Sequence, residues 1–245
     1  MPVPKNDPYN NLLLCNMSGR DLALLEPHME RVGLKLKDCL ERRGSLVRFV
    51  HFLEQGVASI VVKMAGRGNA EAGLLGFEGM AGTSMVLGDD TSIHDCVVQL
   101  PGEAIRIPAE AFRNALKQSP TLREFLLRYV EALGVQTAYT AIANARLTIE
   151  ERLARWFLMC HDRVAGDSLP LTHDFLAVML GVRRPGVTVG IQVLEGKLLI
   201  RANRGEIVIR DRDGLIELAG ETYSEPKAQY DRLLGRDGGA SVASA

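Results

Sequence analysis

Apolar positions along the chain follow two different periods. Between about Val32 and Pro108 they fall into short β-type runs, "LVRFVHFL", "ASIVVKM", "HDCVVQL" and "AIRIP", separated by glycine-rich and charged turns. Many short strands with frequent turn signals predict an all-β sandwich or barrel. Ahead of them, Leu22, Leu25 and Met29 recur at helical spacing behind Ser18, a helix-capping residue type. That predicts a short amphipathic helix over residues 18–30. From Ser119 onward the helical period takes over. Leu122, Leu126, Tyr129, Leu133, Gln136, Thr140, Ala143 and Leu147 alternate steps of four and three. This is a heptad seam, and it predicts a long helix able to pair with a second copy of itself.

A second helix is predicted from Thr148. In "TIEE" the Thr148 hydroxyl can accept from the Glu151 amide while Glu151 reaches back to cap Thr148. Leu153, Trp156, Phe157 and Cys160 form its apolar face, and "AGDSLP" closes it. Leu171 to Gly196 reads as helix, turn, helix. Thr172 caps "HDFLAVML", Leu176, Met179 and Leu180 face inward, and Gly181 makes the turn. Pro185 fits a first helical turn, where its missing N–H has no intrahelical partner anyway. Val187, Ile191, Leu194 and Leu198 then make an inward stripe. Gly186 and Gly190 lower helix propensity, and close approach to a DNA backbone or to a neighbouring helix would account for them. "LLIRANRGEIVIRD" reads as strand, turn, strand, with the bend at Asn203 to Gly205. A short amphipathic helix, "GLIELAGETY", follows, and the tail "GRDGGASVASA" lacks core-forming residues and reads as disordered.

Composition changes this picture only locally. At 245 residues and 47% hydrophobic content the chain can bury one large core or two modest ones. A net charge of −1 does not point to a polyanionic partner for the chain as a whole. Only 5% of residues are aromatic, which argues against a base-stacking platform for single strands. Yet between Arg183 and Arg212 seven basic residues face three acidic ones, a local charge of +4. That is the footprint expected of a phosphate-backbone binder. Cys15, Cys39, Cys96 and Cys160 show no metal-ligand spacing and read as buried thiols of a reducing compartment. The one early apolar run, Leu12 to Leu14, is too short for a signal peptide or a membrane span, which predicts a soluble cytoplasmic protein.

The helix-turn-helix supplies the chemistry. Arg184, Thr188 and Gln192 lie opposite the inward stripe of the second helix, with Arg183 at its tip. Arginine pairs with guanine O6 and N7, glutamine reads adenine, and threonine touches a thymine methyl or a phosphate. A helix N-terminus also attracts phosphate through its free N–H groups. Arg201 and Arg204 lie on the hairpin beside it, where basic side chains can reach the DNA backbone.

These motifs resemble the Crp/Fnr family of bacterial transcription regulators over nearly the whole chain. The most specific stretch is "LPLTHDFLAVMLGVRRPGVTVGIQVLEGKLLIRANRGEIVIRD". The resemblance implies an α+β chain of two domains. Residues 1–117 would form a jelly-roll sensor domain, 118–147 a dimerisation helix and 148–234 a winged helix-turn-helix, with a tail at 235–245. It implies a homodimer on double-stranded DNA with an inverted-repeat operator, and it makes RNA polymerase a candidate partner. By position, Thr172 and His173 would touch phosphates, and Arg184 and Thr188 would enter the major groove. Pro185 stands where many members carry a glutamate that accepts from cytosine, so the operator is expected to differ. The dimer seam would be Leu122, Leu126, Tyr129, Leu133, Gln136 and Thr140. In the sensor domain Gly76, Glu78 and Gly79, together with Thr91 and Ser92, would outline a ligand pocket. Thr91 and Ser92 stand in place of the family's phosphate-binding arginine pair, behind Asp89 and Asp90. Two carboxylates there would repel a cyclic phosphate, so cyclic AMP is not expected. No cofactor or metal is identified: the iron–sulfur cysteine cluster is missing, and His51 or His94 as haem ligands would be lone histidines among strands.

Two rival readings remain. In one, the regulator is independent of any ligand and its barrel serves dimer or protein contacts. In the other, the dipeptides His161-Asp162 and His173-Asp174 would serve a metal-dependent phosphohydrolase, although no further His/Asp cluster follows at ligand spacing. "GIQVLEGKL" does not match a phosphate-binding loop, since its glycines are too far apart and Leu198 replaces the metal-binding hydroxyl.

Overall fold

The computed structural model describes residues 8–66 and 68–235. In chain order the elements are α1 (Leu12–Asn16), α2 (Gly19–Leu25), β1 (Glu30–Leu34), β2 (Cys39–Glu41), β3 (Phe49–Met64) and β4 (Gly68–Leu75). Then come β5 (Met80–Ala81), α3 (Thr83–Leu87), β6 (Asp95–Pro108), α4 (Ala109–Gln118), α5 (Pro120–Arg146) and α6 (Ile149–His161). The C-terminal part holds β7 (Ser168–Leu169), α7 (His173–Leu180), α8 (Arg184–Gly196), β8 (Ile200–Asn203), β9 (Glu206–Ile209), α9 (Arg212–Ala219) and α10 (Glu221–Leu234). This is a mixed α+β chain with a jelly-roll-like antiparallel sheet and a C-terminal winged helix-turn-helix. The tail at 236–245 lies outside the described residues.

The described chain forms two compact units whose boundaries cut through β3, β4, α5 and α10. The first comprises residues 8–60, 75–134 and 229–235; the second comprises 61–66, 68–74 and 135–228. The β3–β4 hairpin therefore groups with the C-terminal residues, and the end of α10 groups with the barrel.

The four short runs of the sequence merge into two long strands. Most of "LVRFVHFL" and all of "ASIVVKM" lie in β3, and most of "HDCVVQL" and all of "AIRIP" lie in β6. Gly56 and Pro101-Gly102, which looked like loop punctuation, are where these strands bend and nearly touch. A Cβ on Gly56 would lie 2.5 Å from the Leu100 carbonyl oxygen, and one on Gly102 would collide with the backbone of Gln55. Helix α2 starts as expected, with Ser18 Oγ accepting from the Asp21 amide. It gives way at Glu26 to a single 3-10 turn, and Met29 leads into β1. Burial opposes ionisation of Asp21, but hydrogen bonds from Ser119, Ser18 and Thr121 outweigh it and hold the carboxyl below its ordinary range. His51 has lost its ordinary basicity, because burial, aided by the Arg106 charge, lowers it to about 4.

The core of the first unit takes up the N-terminal half of the expected dimer seam. Leu122, Leu126 and Tyr129 are buried against Leu13, Leu14, Phe52 and Phe112. The Tyr129 hydroxyl accepts from the Met80 amide at 3.1 Å. Leu133 is half-buried, and farther along α5 Thr140 is buried. Gln136 brackets Leu74 of β4, accepting from its N–H at 2.7 Å and donating to its carbonyl at 3.2 Å. Leu122, Leu126 and Tyr129 pack within their own protomer as large apolar positions of the helix, whereas Gln136 is engaged there through hydrogen bonds. The face left exposed carries Leu127, Glu131, Gly134, Ala138, Ala141 and Ala145, which also alternate steps of four and three. Of the thiols, Cys96 and Cys160 are buried, and burial pushes both up. Cys15 is half-buried and Cys39 is exposed, contrary to the expectation of four buried thiols.

Candidate nucleic-acid interface

The second unit builds its surface from α6 outward. The capping box at Thr148 and Glu151 is complete, with the Thr148 N–H donating to Glu151 Oε2 at 2.7 Å. Leu153, Trp156, Phe157 and Cys160 are all buried, so α6 is the platform for the rest. Trp156 Nε1 donates to Glu71 Oε1 on the β3–β4 hairpin at 2.9 Å. Arg155, also buried, reaches Thr140 Oγ1 at 3.1 Å and the Thr222 carbonyl at 2.9 Å. Desolvation lowers its pKa to about 10.

Helix α7 begins where the sequence said it would. Thr172 Oγ1 accepts from the Phe175 amide at 3.2 Å, and Leu176, Met179 and Leu180 are buried. Gly181 closes α7 in the left-handed region at φ 64°, a conformation that glycine adopts without steric cost. Arg183 is the extended N-cap of α8, Arg184 its first residue, and Pro185 sits in its first turn. Val187, Ile191 and Leu194 point inward. Gly190 and Gly186 are explained by α6. A Cβ on Gly190 would sit 2.8 Å from Leu153 Cδ1, and one on Gly186 2.8 Å from Ile149 Cδ1. Of the two accounts offered for these glycines, the neighbouring helix is the one seen.

The start of α7 braces the start of α8. The Thr188 hydroxyl donates to the Arg184 carbonyl at 3.2 Å, so the His173 Nδ1, 3.0 Å away, is its donor. Arg184 Nε lies 3.3 Å from Asp174 Oδ1, with both side chains more than 60% exposed. Arg183, Arg184, Pro185, Val189, Gln192 and Val193 are exposed along α8. Val189 and Val193 are outward apolar residues that a reading centred on polar groups passes over. Their signal was in the sequence, four residues apart and off the inward stripe.

Beside them, β8 and β9 pair antiparallel with Asn203 opposite Glu206, leaving Arg204 and Gly205 at the bend. Arg201, Arg204 and Arg210 are exposed, whereas Ile200, Ile207 and Ile209 face inward. Glu195 Oε1 accepts from the Ala202 amide at 3.0 Å and ties the end of α8 to the wing. His161 and Asp162 form a charge network. Arg212 donates to His161 Nδ1 at 2.8 Å and to Asp162 Oδ1 at 2.6 Å, and Tyr223 OH donates to Asp162 Oδ2 at 2.8 Å. Burial, reinforced by the Asp162 charge, pushes Tyr223 up to about 12. His161 Nε2 meets Asp167 at 2.9 Å, so its ring bridges Arg212 and an acid.

Residues 151–218 match the model of the Crp-like helix-turn-helix domain. No curated protein matches the chain by sequence. Among solved structures, a Crp/Fnr-family putative transcriptional regulator from Eubacterium rectale shares 16% identity, with 84% of this chain and 97% of that one covered and a TM-score of 0.67. FixK2 from Bradyrhizobium japonicum shares 13% over 78% of this chain and 98% of its own, also at 0.67. A CRP-family transcriptional regulator from Thermus thermophilus shares 17% over 77% and 96%, at 0.63. The Crp/Fnr resemblance read from the sequence stands, and the fold is that of these regulators.

The segment between β4 and β6, which holds β5 and α3, engages its polar groups with other groups of the fold, some buried and some at the surface. Gly76 accepts from the Gly79 amide at 2.9 Å, and a Cβ on Gly79 would lie 2.5 Å from the Tyr129 hydroxyl. The Glu78 carbonyl accepts from Tyr230 OH at 2.6 Å. Ser92 is buried, and its hydroxyl donates to the His94 carbonyl at 2.8 Å. The Thr91 amide donates to Asp89 at 2.8 Å, and Asp90 pairs with Arg113 at 2.8 Å. Among the described residues no helix is long and apolar enough to cross a membrane.

Proposed function

We propose that this chain is a homodimeric, sequence-specific DNA-binding transcription regulator that places α8 in a major groove. The observation that carries the reading is the outward face of α8. It presents Arg183, Arg184 and Gln192 on a helix whose opposite side is locked to α6, with Arg201 and Arg204 on the adjoining wing. Thr172 and His173 hold the entry of α7, where exposed N–H groups meet phosphate. Thr188 acts chiefly as a brace, its hydroxyl committed to His173 and to its own helix.

Pairing runs along the exposed face of α5, through Leu127, Gly134, Ala138, Ala141 and Ala145. Small side chains there let two helix backbones approach closely. Such a dimer implies an inverted-repeat operator with half-sites about 34–36 Å apart. The polar groups engaged inside the turn at Gly76–Ser92 favour a barrel that binds no cyclic phosphate. A second reading, regulation without any small molecule, draws on the same observation. Selection from randomised DNA by the full chain tests the function. An inverted repeat supports it, and an absence of any selected motif refutes it. A thermal-shift series against a panel of metabolites separates a small-molecule sensor from a ligand-independent barrel, because a ligand held only by the native state raises Tm.

A further inference from the structure

The polar residues of α8 account for only part of its exposed face. Counting about 100° per residue around the helix, Val187, Ile191 and Leu194 cluster on one side, and Pro185, Val189, Gln192 and Gly196 lie opposite. Val193 borders that opposite side. Val189 is 55% exposed and Val193 37%, on a helix whose inward apolar residues are at most 2% exposed. Pro185, Val189 and Val193 repeat at four-residue steps and form one apolar track beside Arg184 and Gln192. Two of the three polar side chains bordering this face, Arg184 and Thr188, already have partners within the protein. Arg184 is drawn toward Asp174, and the Thr188 hydroxyl is already engaged.

An apolar track on a groove-facing helix has one chemical counterpart among base edges, the 5-methyl group of thymine. We propose that Val189 and Val193 are specificity-determining residues that read thymine methyl groups, with Pro185 extending the same track in the position where an acidic reader of cytosine was expected. This rests on the reading of α8 as the groove helix. Four residues advance the helix by about 6 Å, close to two base-pair steps, so the two valines address thymines about two base pairs apart. The half-site is therefore thymine-bearing next to whatever base Arg184 contacts.

The test uses the full chain and the half-site it selects. Each thymine is replaced singly by deoxyuridine, which removes the 5-methyl group and leaves every hydrogen-bonding edge intact. Two positions per half-site should each lose about 3- to 10-fold in affinity, the worth of one buried methyl group. Val189→Ala should abolish the deoxyuridine penalty at one position and Val193→Ala at the other. Both substitutions are at exposed helical sites, where alanine favours the helix, so the variants should melt like the parent. A motif that tolerates deoxyuridine everywhere overturns the inference alone, as does a penalty that persists in both variants. If the valine track instead docks a protein, the variants bind DNA like the parent and the inference fails. A chain that selects no motif overturns the reading of DNA binding together with the inference.

Discussion

The turn from Gly76 to Ser92 and the segment from Thr172 to Arg204 are both rich in glycine and in polar side chains, and they use them in opposite ways. In the first, glycine admits Tyr129, hydroxyls donate to nearby carbonyls, and one carboxylate pairs with Arg113. In the second, glycine lets α8 lie against α6, and that close seat leaves arginine, glutamine and valine facing outward. Similar residue types thus serve mainly internal contacts in one place and an open surface in the other. What separates them is the neighbour that approaches the glycine, which local sequence does not reveal.

The contrast can be broken most forcefully on α5. Leu122→Ala removes a fully buried side chain and should cost about 2–5 kcal/mol in urea unfolding. If the variant instead keeps its stability and loses only its dimer, Leu122 belongs to an interface and the inward assignment of this face is wrong. The barrel should also carry the acid sensitivity. The His51 pKa is lowered from the usual 6.5 to about 4 in the fold, so the unfolded chain binds the proton more readily. Stability from neutral His51 is complete above pH 6.5 and is lost as pH falls toward 4, by roughly 3 kcal/mol. Unfolding at pH 7.5 and pH 4.5 measures this, and His51→Gln should remove most of the difference.

A paired substitution sharpens the comparison at its centre. Gly79→Ala forces a contact with Tyr129 and should lower stability by about 1–3 kcal/mol while folded molecules bind DNA as before. Arg184→Ala should do the reverse, weakening specific binding by about 1–3 kcal/mol and relaxing base preference, with Tm held. Equal loss on random DNA would make Arg184 a phosphate contact. The smallest effect belongs to the wing. Arg204→Ala should weaken all sequences alike and reduce the salt slope of binding by about one.

Much of the C-terminal unit was legible because its signals are local. Thr172, Gly181, Pro185 and the Thr148–Glu151 box each act within a few residues of themselves, and each appears where expected. The barrel was legible as β but not as two long strands, because Gly56 and Gly102 break the pattern for the sake of a contact made far away in sequence. On α5 both faces repeat in heptads. Large apolar residues suggested the pairing seam, yet Leu122, Leu126 and Tyr129 are buried within the protomer, and the face left outside carries mostly small residues beside Leu127. The valines of α8 were missed for a related reason, since an apolar residue at an outward position was not credited with chemistry.

Trp156 is the chain's single tryptophan, and its indole N–H ends on Glu71 of the β3–β4 hairpin. The molecule therefore carries one tryptophan fluorophore, placed where the β3–β4 hairpin meets α6 within the second unit. Its emission will report solvent entry at that joint without any label. A titration with DNA or a metabolite can then be followed optically at one known bond, and Glu71→Gln supplies the reference spectrum for a weakened one.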